Sequence, residues 1–224
     1  MGYFDNYPPF SFGAPNGSMT GALIDDVELM GQLAGGFTFE HKGYPWARAQ
    51  AMVERGLLDG FCTTASKRRQ VYAEFCTTPI VSVRFGIYHR IDDPRALSIH
   101  SVADMRALRQ GNFIGAGYPA EHLEPEHIHW VADEETILRM IAADHLDIYV
   151  EGKIATNRKL EQMGLANRLT FTPAPFLPSV NFCFGLRSSF TDSSAVVAKM
   201  EAAAQTAKKS GAFDAILAKY GIHE

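Results

Sequence analysis

Short apolar strands alternate with helix-patterned segments along nearly the whole chain, and this alternation constrains the fold more than any other feature. Apolar residues at helical spacing predict helices over 23–34, 46–55, 102–109, 134–143, 154–163, 194–210 and 212–220. Extended apolar runs predict strands at 38–40, 58–62, 81–88, 112–115, 127–131, 146–150 and 180–186. Such an order builds α/β layers, parallel sheets covered by helices. Two stretches, 81–90 and 174–186, break the rhythm with long extended runs, the second opened by Pro173, Pro175 and Pro178. Two such crossings fit a chain that leaves one lobe, builds a second and returns.

Composition narrows the class. A chain of 224 residues with 46% hydrophobic and 21% charged residues is ordinary for a soluble globular protein of one large domain or two small ones. The formal charge of −4 and the lack of a basic stripe argue against nucleic acid or an anionic membrane as partner. No apolar run reaches the roughly 18–20 residues of a membrane-spanning helix. The opening Met1-Gly2-Tyr3-Phe4-Asp5 lacks the charged and apolar segments of a signal peptide, so the protein is either cytosolic or exported with its signal removed. Cys62, Cys76 and Cys183 have no metal-binding spacing, and their apolar surroundings suit buried thiols.

The chemistry concentrates between Pro45 and Arg69. A helix beginning at Trp46 ends at Arg55-Gly56 and feeds a strand that closes in Thr63-Thr64-Ala65-Ser66-Lys67-Arg68-Arg69. Hydroxyl groups and exposed backbone just past a strand end mark the place where open α/β sheets bind ligands. An arginine there can grip a carboxylate with two charge-assisted hydrogen bonds. The alternative is a solvated basic face with the threonines as turn residues. A second cluster, Glu121, His122, Glu124, Glu126, His127 and His129, has the residue types for Zn(II) or Cu(II), with His127 and His129 expected on one side of a strand. It forms no complete ligand set at a recognised spacing and reads as an acidic turn leading into a strand; no metal and no cofactor are expected.

Several segments, in order, resemble the bacterial extracellular solute-binding proteins of family 3, the receptors of polar amino acid ABC transporters. They are Asn6-Tyr7-Pro8-Pro9-Phe10-Ser11-Phe12, Thr20-Gly21 with Asp25, the Pro45-Trp46 helix to Leu58-Asp59-Gly60, and Arg69 six residues before Phe75. The likeness continues through Ser82-Val83-Arg84-Phe85, Ile114-Gly115-Ala116-Gly117-Tyr118, and the run from Ala143 to Val150 with Leu146-Asp147. It ends at Ser210-Gly211-Ala212-Phe213-Asp214-Ala215-Ile216-Leu217. The resemblance implies a two-lobed, type II periplasmic-binding-protein-like fold, each lobe a mostly parallel sheet flanked by helices, joined by two hinge strands. Lobe one would hold residues 1–84 and 183–224, and lobe two residues 85–182. It also implies a monomeric periplasmic receptor that closes its lobes around a small carboxylate-bearing solute and delivers it to a membrane permease.

Carried over by position, Arg69 matches the family arginine that pairs with a ligand carboxylate, with Thr63 and Thr64 beside it. Tyr7, Phe10 and Trp46 match aromatic walls, although Phe10 also reads as core and Trp46 as helix-start packing. Arg68 competes with Arg69 because the loop after Thr64 is about two residues shorter than the common family pattern. In lobe two the match gives Gly117, Tyr118 and Glu151 as ligand-binding positions. Here the chain departs from the pattern: Gly117 is followed by Tyr118 and Pro119, which has no N–H, and the usual aspartate position is Gly152, one step after Glu151. The common clamp for an α-amino acid is thus incomplete. Two alternatives share the fold: a cyclohexadienyl or arogenate dehydratase-like enzyme, with Glu151 or a histidine as the cleft acid, and the sensory lobe of a larger receptor. No nucleophile elbow, phosphate loop or base–nucleophile pair points to catalysis.

Overall fold

The computed structural model describes residues 1–222. The chain divides into two compact units, Met1–Ser82 with Asn181–Glu224, and Val83–Val180. The expected breaks after 84 and 182 fall two residues beyond these, and His223 and Glu224 of the expected first lobe lie outside the described residues.

The first unit is built on a six-stranded sheet. Its order runs Lys42–Tyr44, Gly2–Phe4, Gly60–Thr64, Val180–Arg187 and Ala73–Phe75, with Val81–Val83 paired to Val180–Arg187. The first three strands are parallel, and Val180–Arg187 runs antiparallel to both its neighbours on this path. Phe61 and Phe184 are buried almost completely on this sheet, where truncation of either ring to alanine costs about 3–5 kcal/mol. A small antiparallel meander, Asn6–Tyr7, Ser11–Gly13 and Met19–Thr20, leads into helix Ala22–Leu33. Gly21 stands at that junction with φ of 128°, and a Cβ there would run into the Phe10 carbonyl. The tight approach lets Ala22 and Leu23 donate their N–H groups to the Pro9 and Phe10 carbonyls, each at 3.0 Å.

The second unit is a five-stranded sheet ordered Ile128–Val131, Gln110–Phe113, Ile148–Gly152, Phe85–Arg90 and Leu169–Pro173. Its first three strands are parallel, and Phe85–Arg90 runs antiparallel to both of its neighbours. Helix Glu134–Ala142 starts at Asp133, whose carboxylate accepts the Thr136 N–H at 2.8 Å, and buries Ile137, Leu138 and Ile141. Asp147 accepts the backbone and side-chain N–H groups of Arg109 and a guanidinium N–H of Arg95.

Several expected elements differ, each for a tertiary reason. The strand expected at 38–40 is irregular, because the parallel register Gly2↔Lys42 places the pairing at Lys42–Tyr44 instead. The helix expected at 102–109 is the 3-10 turn Ala103–Ala107; Asp147 draws the Arg109 N–H to 2.7 Å and the chain leaves the turn extended. The single strand expected at 81–88 splits at Arg84, its halves joining different sheets. His127 ends the 3-10 turn Pro125–His127 and the strand begins at Ile128, so His127 and His129 do not share a strand. Among the described residues no helix is long and apolar enough to cross a membrane.

Candidate functional site

Helix Trp46–Glu54 and strand Gly60–Thr64 position the candidate residues of the first unit. Val53, Leu58, Phe61 and Ala73 form their shared core, surrounded by Tyr44, Trp46, Met52, Tyr72 and Phe75. Trp46 and Gln50 stand four residues apart and therefore on one face of the helix. The strand runs further than its apolar residues suggest: Thr63 and Thr64 are its last two residues, with Thr63 buried and opposite Cys183.

Arg69 lies in the short helix Lys67–Gln70, whose cap Ser66 accepts the Arg69 N–H at 3.3 Å. That turn points Arg69 inward, 2% exposed, and leaves Arg68 exposed. Nη1 of Arg69 donates to the Thr64 carbonyl at 3.0 Å and to the Thr64 hydroxyl at 2.6 Å, and Nε donates to Oε1 of Gln50 at 2.9 Å. The guanidinium carbon sits 5.2 Å from the Trp46 ring centre, a cation–π distance. Thr64 and Gln50 are neutral acceptors that orient the guanidinium. Tyr7 stacks on Phe10 and Phe182 at 5.2 and 6.3 Å between ring centres. Phe10, 1% exposed and parallel to Phe182, is the packing layer behind Tyr7.

The second unit places its candidates differently. Gly117 opens helix Gly117–His122. The Tyr118 ring lies 4.1 Å from Phe85 and 4.7 Å from His122, and its hydroxyl donates to the Pro178 carbonyl at 3.2 Å. Burial first, and then the charge of Glu151, pushes the Tyr118 hydroxyl up and keeps it a neutral donor. Glu151 is 7% exposed, and its carboxylate accepts the Gly152 N–H at 2.8 Å and the Tyr149 hydroxyl at 3.2 Å. The same hydroxyl is 3.4 Å from Glu134, which accepts from Thr156 at 2.6 Å and pairs with the buried Lys159 at 3.0 Å.

Glu124, Glu126 and His127 bring ligand atoms within 4.8 Å of one another, but Glu124 is gripped by both Nε and Nη2 of Arg106. The three cysteines are buried and free.

A family model described as bacterial extracellular solute-binding proteins, family 3, matches residues 1–223. The chain belongs to that family. Comparison with curated proteins returned no match. Among solved structures, this family 3 chain is similar to a histidine kinase sensor domain with similarity to periplasmic binding proteins, at 21% identity and TM-score 0.82, covering 98% of this chain and 93% of that one. It is also similar to the arginine-, lysine-, histidine-binding protein of the thermophilic bacterium Geobacillus stearothermophilus, at 16% identity and TM-score 0.79, covering 100% and 94%. A third is an ancestral amino acid-binding protein, a precursor of cyclohexadienyl dehydratase, at 18% identity and TM-score 0.75, covering 98% and 90%. These likenesses establish the two-lobed periplasmic-binding-protein fold, and the family makes the chain a solute-binding protein.

Gln50, Phe182, Tyr149, Glu134 and Lys159 were not among the sequence candidates of this family 3 protein. Gln50 carried a signal, its spacing of four from Trp46. Tyr149 carried another, since residues two apart on a strand share a face with Glu151. Glu134 and Lys159 lie on separate helices, and nothing in the sequence pairs them.

Proposed function

We propose that this protein is an extracytoplasmic receptor of an ABC importer that captures a small carboxylate-bearing solute without transforming it. The observation that carries this reading is Arg69, buried, stacked on Trp46 and oriented by Thr64 and Gln50 at the C-terminal end of a parallel strand. A preoriented guanidinium fork matches the two oxygens of a carboxylate and loses little freedom on binding. Trp46 supplies aromatic surface beside it, and Tyr7 stacks on Phe182, the strand partner of Thr64. On the second unit, Tyr118 and Glu151 remain the candidate contacts, with the Tyr118 hydroxyl already donating to Pro178 and Glu151 already accepting from Tyr149 and Gly152.

The resemblance of fold to an arginine-, lysine-, histidine-binding protein supports a ligand of amino acid or related chemistry. Gly152 in place of the expected aspartate favours a modified solute over a common α-amino acid. The test is a thermal-shift screen of the purified protein against amino acids, polyamines, opines, small organic acids and prephenate. A ligand at about 100 times its dissociation constant stabilises the native state by roughly 2.7 kcal/mol. Carboxylate-bearing compounds should supply the hits; stabilisation by polyamines alone would overturn the reading.

A further inference from the structure

Helix Ala22–Leu33 turns Leu23, Val27 and Met30 into the core of the first unit, and Asp26 shares that buried side. Asp26 is wholly buried, and among the described residues neither of its carboxyl oxygens has a hydrogen-bond partner. An ionised carboxylate with no partner in an apolar interior is strongly disfavoured.

Among the described residues, the surrounding elements supply no compensating charge. Asp25, next on the helix, repels Asp26 and is itself bound by Lys219 at 2.7 Å and Tyr220 at 3.0 Å. Tyr3 and Cys62 face it from strands Gly2–Phe4 and Gly60–Thr64; burial pushes both groups up, and Asp26 adds to the rise. Tyr3 is engaged with His41 at 3.1 Å, and His41 in turn with Glu28 at 2.7 Å. Strands Ser11–Gly13 and Met19–Thr20, which also pack on the helix, carry no ionisable side chain. On helix Ser193–Ser210, Lys199 lies over Phe37, Glu201 is bound by Thr77 and Thr78, Lys208 acts on Cys183, and Lys209 is exposed. Asp214, on helix Ala212–Lys219, is exposed. Burial, and then the charge of Asp25, pushes the Asp26 carboxyl up to about 8.

We propose that Asp26 is a proton-operated catch: held as a neutral acid it seats helix Ala22–Leu33 on the sheet, and loss of its proton loosens the helix together with the Pro9–Phe10 turn. The coupling runs through the first turn of the helix, whose Ala22 and Leu23 N–H groups bind the Pro9 and Phe10 carbonyls. Phe10 backs Tyr7, which stacks on Phe182, the strand partner of Thr64, so the catch reaches the strand end that holds Arg69.

The direction follows from proton linkage. Unfolded aspartate releases its proton near about 3.9, whereas the folded protein holds it until about 8. The stabilisation is therefore complete below about pH 4, falls as pH rises toward 8, and is constant beyond, with a limit of about tenfold in the folded-to-unfolded ratio per pH unit.

The experiment compares the wild type with Asp26→Asn from pH 4 to 9 by urea unfolding, infrared spectroscopy and amide exchange. The wild-type ratio should fall against the variant by up to about tenfold per pH unit between pH 4 and 8. At pH 6 the folded wild type should show a protonated-carboxyl band that titrates near 8 and is missing from the variant. Exchange at Ala22 and Leu23 should accelerate more in the wild type than in the variant above pH 7. Parallel stability curves, or no protonated band at pH 6, overturn the neutral acid; equal acceleration of exchange overturns the coupling to the turn. Should Asp26→Asn fail to fold, carbon-13 NMR of labelled wild-type aspartate carboxyls, with Asp26→Leu for assignment, decides the same point.

Discussion

Gln50 accepts the Nε hydrogen of Arg69 at 2.9 Å. The group that aims the arginine thus stands on the same helix face as Trp46, the ring over which the guanidinium lies. One helix both orients the charge and shields it.

Arg69→Lys should fail to restore solute binding, because an ammonium cannot reproduce the planar fork. Losing one partner of a buried charge pair costs about 2–5 kcal/mol, whereas the exposed Arg68→Ala should cost under about 0.5 kcal/mol. Calorimetry with a hit from the thermal-shift screen checks the ranking; the reverse order would move the anion seat to Arg68.

Gln50→Leu leaves the Nε hydrogen without its acceptor while preserving side-chain bulk. A hydrogen bond to a charged group contributes about 1.5–3 kcal/mol, so affinity should drop by at least about tenfold with little change in fold. Equal binding by Gln50→Leu and the wild type would show that Gln50 is not needed to orient the fork.

No proteinogenic amino acid should bind at micromolar affinity. Gly152 offers no carboxylate to an α-ammonium, and an unpaired ammonium taken from water loses several kcal/mol. The Glu151 carboxylate already accepts from Tyr149 and Gly152. Titration of the twenty standard amino acids decides it; micromolar binding that disappears in Glu151→Gln would give Glu151 the missing role.

Prephenate and arogenate should remain unchanged on incubation beyond their spontaneous rates. Tyr118 is held as a neutral donor to Pro178, and the Tyr149 hydroxyl lies between Glu134 and Glu151. Chromatographic detection of phenylpyruvate or phenylalanine above background would place the protein among the dehydratases.

Glu201→Gln should destabilise the first unit by about 1–3 kcal/mol at neutral pH. Burial raises the Glu201 carboxyl, but hydrogen bonds from the Thr78 hydroxyl and N–H, Gln205 and the Thr77 N–H outweigh it and bring it to about 2. Its stabilisation is therefore present above the unfolded value near about 4.3 and is lost as pH falls toward 2. Acid unfolding curves of the two proteins should converge in that window.

Long elements were readable because their periodicity is repeated many times: helices 46–55, 134–143 and 194–210 were expected within one residue of Trp46–Glu54, Glu134–Ala142 and Ser193–Ser210. Gly2–Phe4 escaped notice although it pairs with strands on both sides, since three residues carry no period. The segment 37–41 alternates like a strand, yet pairing belongs to Lys42–Tyr44 because register is set by the partner strand. Asp26 gave a weaker signal, an acid among the inward positions Leu23, Val27 and Met30, and only burial shows that no described residue answers its charge.

By itself the sequence determined the alternation of strands and helices, the two crossings, the family, and the arginine-bearing turn that follows a strand. These are local patterns, legible wherever residues a few positions apart share a face. Tertiary structure alone buried Arg69 and left Arg68 exposed, because the Ser66 cap sets the phase of a single helical turn and Gln50, nineteen positions away, supplies the acceptor. It also joined Glu134 to Lys159 and isolated Asp26, since hydrogen bonding and burial depend on distances that linear order does not contain.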